Sequence, residues 1–229
     1  MIKAAIFDMY ETLITLFSSP AYFSVQMAVD AGIPEDVFIA AWRTTEDDRT
    51  LGRVTVDDVV AQILKANNCY SKEMIRKIMG KRIAYKKEAF IHMHSEIIPM
   101  MEELKKQGLK IALISNCHSE EAMVIKESIL YPYFNTVCLS YDIGVKKPDQ
   151  AIFRMCLDRL GLNADECIYI GDGGSNELEA AKTIGMHPVQ AVWYLKEGTS
   201  QPSKRMSEYI QAETPMAITE LVSLLNQST

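Results

Sequence analysis

Two aspartates, each at the end of a short apolar run, mark where chemistry can begin. Asp8 closes "AAIF" and Asp172 follows "CIYIG". A carboxylate is a weak nucleophile, yet it attacks a phosphorus or carbon centre that is held in line. A pair of carboxylates also suits a hard divalent cation such as Mg²⁺, which takes oxygen ligands and neutralises an incoming phosphate. Ser115 and Asn116 end "KIALISN", where they can hydrogen-bond transferring oxygens. Lys147 in "VKKPD" would balance the remaining negative charge. Gly173 and Gly174 let backbone N–H groups approach an anion. The run "GDGGSN" lacks the third glycine of a dinucleotide loop and follows a late strand, so a nicotinamide cofactor is not expected.

These groups meet only if strands deliver them to one edge. Residues 2–7, 110–115, 136–140, 167–171 and 188–193 are short apolar runs of the kind that form buried parallel strands. Helical patterns separate them: "IIPMMEELKKQG", "SEEAMVIKESI" with Ser119 as its cap, "DQAIFRMCLDRLG", "NELEAAKTIG" and, near the C-terminus, "PMAITELVSLL". Strands alternating with helices predict an α/β, doubly wound parallel sheet, with ligands beyond the carboxyl ends of the strands. The expected strand order is 3-2-1-4-5, Rossmann-like, with Asp8 at the centre. Residues 16–88 break the alternation with helical signals alone. Pro34 opens one helix, Thr55 with Asp58 resembles a capping box, and Ser71 precedes a third apolar stripe. The expected organisation is an α/β core of residues 1–15 and 89–229, with an inserted α-helical cap of residues 16–88.

The bulk properties narrow the partners. The 229 residues carry a net charge of −6, which argues against nucleic acid or an anionic membrane as the main partner. A small anionic substrate is still compatible, because positive charge can be local. Five cysteines without a C-x-x-C favour reduced thiols over disulfides or structural zinc, hence a cytoplasmic setting. The early acidic residues Asp8 and Glu11 do not fit a signal peptide, and no apolar run reaches membrane-spanning length. His92 and His94, two apart, would not share a helix face as a metal pair. Oligomeric state is not legible.

Taken in order, "DMYETL", "LISN", "KKPD" and "GDGGSNE" resemble the four motifs of the haloacid dehalogenase-like (HAD) superfamily. A helical cap between the first two also fits. The resemblance implies that Asp8 is the nucleophile and passes through a covalent aspartyl ester. Ser115, Asn116 and Lys147 complete the catalytic set it implies. Mg²⁺ would be held by Asp8, the Tyr10 backbone carbonyl and Asp172, with the second acid of the last motif falling at Asn176 or Glu177. Candidate substrate contacts are Tyr10, Arg43 in the insertion, where it can reach an anionic substrate, and His118, which can also serve as a replacement acid. Most phosphatases of the superfamily carry a second Asp where Tyr10 stands, as general acid and base, whereas its 2-haloacid dehalogenases carry Tyr. Halide leaves without a proton, and a phenol with pKa near 10 is a poor base at neutral pH. Those dehalogenases need no metal, however, and typically lack the Asp aligned with Asp172. The expectation is therefore a Mg²⁺-dependent phosphatase of a small phosphorylated metabolite. The alternatives are a metal-free 2-haloacid dehalogenase using Asp8, and a catalytically weak binding module.

Overall fold

The computed structural model describes residues 1–18, 20–196 and 203–227. Strand β1 is Ala4–Phe7, followed by helices α1 (Ser24–Ala31), α2 (Glu35–Thr44), α3 (Glu46–Thr50), α4 (Val56–Ala66), α5 (Lys72–Ile91) and α6 (Ile97–Lys106). Then come β2 (Lys110–Ser115), α7 (Ser119–Glu127), β3 (Thr136–Leu139), α8 (Ser140–Ile143), α9 (Gln150–Leu160), β4 (Cys167–Gly171), α10 (Glu177–Thr183), β5 (His187–Ala191), β6 (Ile210–Ala212) and α11 (Ala217–Gln227). The sheet is parallel throughout, in the order β3-β2-β1-β4-β5-β6. The expected order holds, with β6 added at one edge.

Alternation along each strand divides the core between the two faces of the sheet. Ala5, Phe7, Ile111, Leu113, Ile168 and Ile170 pack on one side with residues of α6, α7 and α11. Ala4, Ile6, Ala112, Ile114 and Tyr169 pack on the other with residues of α9 and α10. Both faces are covered, which is why these runs read as continuously apolar. β1 and β4 are neighbours in register, Phe7 opposite Ile170, so Asp8 and Asp172 leave the sheet at the same end.

Helices α1–α5 lie between β1 and β2 and carry a hydrophobic cluster of their own, centred on Met27, Phe38, Trp42, Val60, Leu64 and Ile78. Thr55 caps α4 as expected, accepting from the Asp58 N–H, and Ser71 caps α5, accepting from the Met74 N–H. At α7 the cap is His118 rather than Ser119, and the His118 N–H donates to Glu121 Oε2 at 2.8 Å. Helix α5 runs without a break past position 88 to Ile91. It ties the inserted helices to the sheet domain through two buried ion pairs on α7: Arg82 with Glu120, and Lys86 Nζ with Glu121 Oε1 at 2.6 Å. Removing one partner leaves the other charge buried and uncompensated. Glu120→Ala is expected to cost about 3–5 kcal/mol in urea unfolding; a loss below about 1 kcal/mol would mean that Arg82 is hydrated there.

All five cysteines are free thiols. Among the described residues no helix is long and apolar enough to cross a membrane.

Candidate active site

The turn after β1 sets the first acid. The Asp8 N–H donates to Ile170 O at 2.9 Å, extending the sheet by one residue. The chain then reverses, with the N–H groups of Leu13 and Ile14 both on Met9 O. Glu11 takes a left-handed φ of 57° there, a conformation more often left to glycine. Its carboxylate accepts from Thr15 Oγ1 at 2.7 Å and from the Leu16 N–H at 2.9 Å, which helps hold the turn.

Asn116, just past β2, fastens the "KKPD" loop. Its Nδ2 donates to Lys147 O at 3.0 Å, and its Oδ1 accepts from the Lys147 N–H at 2.8 Å. That grip aims the Lys147 side chain inward. Its Nζ lies 2.6 Å from Asp8 Oδ1, 2.6 Å from Glu177 Oε2 and 3.3 Å from the Tyr169 hydroxyl. Gly171 ends β4 for a steric reason: a Cβ there would collide with Glu177 Oε1. Asp172 accepts from the Gly174 N–H at 3.0 Å on Oδ1 and from the Ser203 hydroxyl on Oδ2. Gln190 is buried and donates to both Asp172 O and Lys204 O, so it pins the Ser203 segment to the site.

Asp8, Asp172 and Glu177 are all buried, and each offers an oxygen within 4.8 Å of the others. At that separation, two carboxylates repel by about 3–4 kcal/mol at an effective dielectric of 20. Lys147 brings one positive charge against three negative ones. Burial, then Glu177, pushes the Asp8 carboxyl well above the usual carboxylate range, despite Lys147. The same two causes raise Asp172 to about 6. Burial works against the Lys147 charge, but Asp8 and Glu177 outweigh it and keep the ammonium protonated.

A carboxyl whose folded pKa is raised favours folding while protonated, and that contribution is lost as pH rises. For Asp172 the window runs from its ordinary 3.8 to about 6. From Asp172 alone, the metal-free protein is therefore expected to lose on the order of 2 kcal/mol between pH 4.5 and 6.5. Melting temperature against pH in chelator checks this, and a flat or rising curve over that window would contradict it.

Of the sequence-derived candidates, Asp8, Tyr10, Asn116, Lys147, Asp172 and Glu177 come together. Asp8, Tyr10, Asn116, Lys147 and Asp172 line a cleft of about 140 Å³, with Glu11, Gly174 and Ser175. Four candidates sit elsewhere. Ser115 is fully buried, its hydroxyl donating to Asn116 O at 3.4 Å. Asn176 is exposed at the start of α10 with a φ of 51°, because the turn directs Glu177 inward instead. Arg43 is exposed on α2, away from the cleft. His118 lines a second chamber of about 290 Å³, where its Nε2 lies 3.2 Å from Glu46 Oε1. The two chambers share Tyr10, Glu11 and Asn116. Burial, then Glu121, pushes the Tyr10 phenol well above its ordinary value, so it stays protonated. Outside the site, His92 pairs with Glu88 while the His94 N–H donates to the Tyr194 hydroxyl, so the two histidines go separate ways.

Sequence reasoning missed Glu11, Gln190, Ser203 and Tyr169. Glu11 stood beside Tyr10 in the first motif and was legible as a cleft residue. Ser203 and Gln190 carry no spacing signal, because they meet Asp172 across 31 and 18 positions of the chain.

A parallel sheet of this order with paired carboxylates past β1 and β4 defines a hydrolase of the HAD type. The chain belongs to the haloacid dehalogenase-like hydrolase family, whose model matches residues 2–185. Among its relatives is a glyceraldehyde 3-phosphate phosphatase from Methanocaldococcus jannaschii, 27% identical over 216 residues, covering 83% of this chain and 85% of the relative. A phosphoserine phosphatase from Thermus thermophilus is 28% identical over 102 residues, or 44% of this chain and 40% of that protein. Two solved structures share the fold. One is a 2-haloacid dehalogenase from Pseudomonas syringae pv. Tomato DC3000, with TM-score 0.69, 19% identity, and 98% of this chain and 100% of that one covered. The other is a HAD phosphatase from Thermococcus onnurineus, with TM-score 0.67, 20% identity, and 96% and 98% covered.

Proposed function

We propose that the protein is a Mg²⁺-dependent phosphatase of a small phosphorylated metabolite, with Asp8 as nucleophile. The observation that carries this reading is the cluster of Asp8, Asp172 and Glu177, which holds more negative charge than Lys147 offsets. Buried Glu177 Oε2 receives no aligned hydrogen bond, although Lys147 Nζ is 2.6 Å away. Such a donor set fits a hard divalent cation, because oxygen ligands and surplus charge are what it selects. Asp8, Asp172 and Glu177 would hold the ion, with the Tyr10 carbonyl beside them. Bound Mg²⁺ supplies charge neutralisation at the phosphoryl oxygens.

The protein's own groups do the rest. An Asp8 oxygen attacks phosphorus as the ester P–O bond breaks, the leaving alkoxide takes a proton from water, and a second water hydrolyses the aspartyl phosphate to free phosphate and the Asp8 carboxylate. Lys147 holds Asp8 in position and carries positive charge to the phosphoryl group. Asn116 fixes the loop from which Lys147 reaches in. The protonated Tyr10 phenol donates a hydrogen bond and does not act as base. His118 reaches the alcohol from the second chamber. We place Arg43 outside substrate binding. The inserted helices serve as the cap that closes the outer chamber. Free thiols support a reducing, cytoplasmic setting.

Turnover of p-nitrophenyl phosphate with and without chelator tests the reading; a rate that chelation leaves unchanged ends it. Tyr10 favours a second reading, metal-free displacement of halide from a 2-haloacid. Chloride release from 2-chloropropionate in chelator would establish that reading instead.

A further inference from the structure

Building on the phosphatase reading, we propose that the alcohol part of the substrate is neutral and hydroxyl-rich, a polyol or sugar phosphate, bearing neither a carboxylate nor an ammonium group. The two chambers meet at Tyr10, Glu11 and Asn116. An ester with its phosphoryl group beside Asp8 therefore places its alcohol in the larger chamber.

The chamber lining disfavours an anion. It holds three carboxylates, Glu11, Glu46 and Glu121, and no Lys or Arg among the described residues. A hydrogen bond from His118 helps keep Glu46 ionised. Burial works against the Glu121 charge, but Lys86, His118 and Arg82 outweigh it. Arg43, the cation the sequence offered for a substrate carboxylate, is exposed on α2 and lines neither chamber.

An ammonium is disfavoured for a different reason. Buried cations stand behind this lining, each engaged with an acid: Arg49 with Glu46, Arg82 with Glu120, Lys86 with Glu121. Lys86 Nζ also sits 5.3 Å from the centre of the Tyr10 ring and 5.8 Å from that of Phe23. A second ammonium seeking those same rings would meet the first, so their cation–π attraction is taken.

What the chamber offers a ligand is acceptors, neutral donors and apolar surface. Ionised carboxylates accept strong hydrogen bonds from hydroxyl groups. Asn116 adds a donor to the lining, the second N–H of the Nδ2 that holds Lys147 O. Phe17 and Phe23, with ring centres 6.2 Å apart, and Leu16 present an apolar wall to the C–H face of a polyol. Acidic acceptors beside aromatic rings match the two-sided character of a sugar or polyol.

The test compares kcat/KM of the full chain with Mg²⁺ for three esters of similar size: glycerol 3-phosphate, phosphoglycolate and phosphoethanolamine. p-Nitrophenyl phosphate is the control. Glycerol 3-phosphate is expected to exceed each charged ester by at least tenfold. Turnover of the aryl ester with equal or greater preference for a charged ester overturns this inference and leaves the phosphatase reading standing. No turnover of any ester, the aryl one included, removes the phosphatase reading and this inference with it. In Glu46→Gln, phosphoglycolate is expected to gain at least threefold relative to glycerol 3-phosphate. A ratio unchanged from the unsubstituted protein counts against the carboxylate lining as the source of selectivity.

Discussion

Replacing Asp8 by Asn is expected to reduce phosphatase turnover by on the order of 10⁴–10⁶-fold, the range seen when one member of a catalytic triad is removed. The amide keeps the shape of the side chain but has no anionic oxygen to attack phosphorus. The fold should survive the change. Asp8 is buried, and its charge is resisted by burial and by Glu177. An amide there removes one of three crowded negative charges while Lys147 keeps its contact with Glu177 at 2.6 Å. Asp8→Asn is therefore expected to melt at the same temperature as the parent or slightly higher above pH 6. Activity and melting curves measured on the same sample separate the two effects. A variant that is well folded and still retains a tenth of the parent rate would remove Asp8 from the chemistry.

The second large effect falls on Lys147. Its ammonium is buried, and it is the group that bridges Asp8 and Glu177. Lys147→Met keeps the volume of the stem and deletes the charge, leaving three carboxylates facing one another. Breaking a buried ion pair on one side costs about 3–5 kcal/mol. That loss should be partly reversed by Mg²⁺, because a divalent ion offsets the same surplus. The expected pattern is a melting temperature well below that of the parent in chelator, with a larger upward shift on adding Mg²⁺ than the parent shows. Turnover should fall as well, since the positive charge on the transferring group is gone. A variant as stable as the parent in chelator would mean that the carboxylates shed their charge by protonation without help from Lys147.

The parts of this site legible in the amino-acid sequence are those where backbone periodicity and chemistry coincide. A buried strand ending in a carboxylate is conspicuous, so Asp8 and Asp172 stand out, and the parallel sheet puts them at one edge. Asn116 and Lys147 are legible as motif residues, although their mutual grip is not. Local turn geometry decides the cases that differ. Asn176 and Glu177 are neighbours, and the left-handed φ at Asn176 turns one outward and the other inward. Ser115 points to the cleft by sequence position, but its side chain is buried against the main chain of Asn116.

Long-range partners are hidden for a different reason. β6 is three residues long, too short for a hydrophobic period. Ser203 reaches Asp172 across 31 positions, and Arg82 reaches Glu120 across 38. A single sequence carries no record of which acid a buried arginine meets. Arg43 illustrates the converse: an arginine in the inserted segment looks suited to an anion, yet its helix presents it to solvent, while Arg49 and Arg82 are buried.

The central claim is that Asp8 takes the phosphoryl group. It is tested most directly by rapid acid quench of the protein turning over an aryl phosphate with Mg²⁺, followed by borohydride reduction and peptide mass analysis. An acyl phosphate on Asp8 is reduced to homoserine, so homoserine is expected at position 8 only when both the ester and Mg²⁺ are present. Steady turnover with position 8 unchanged, or with the label on another acid, would contradict the account.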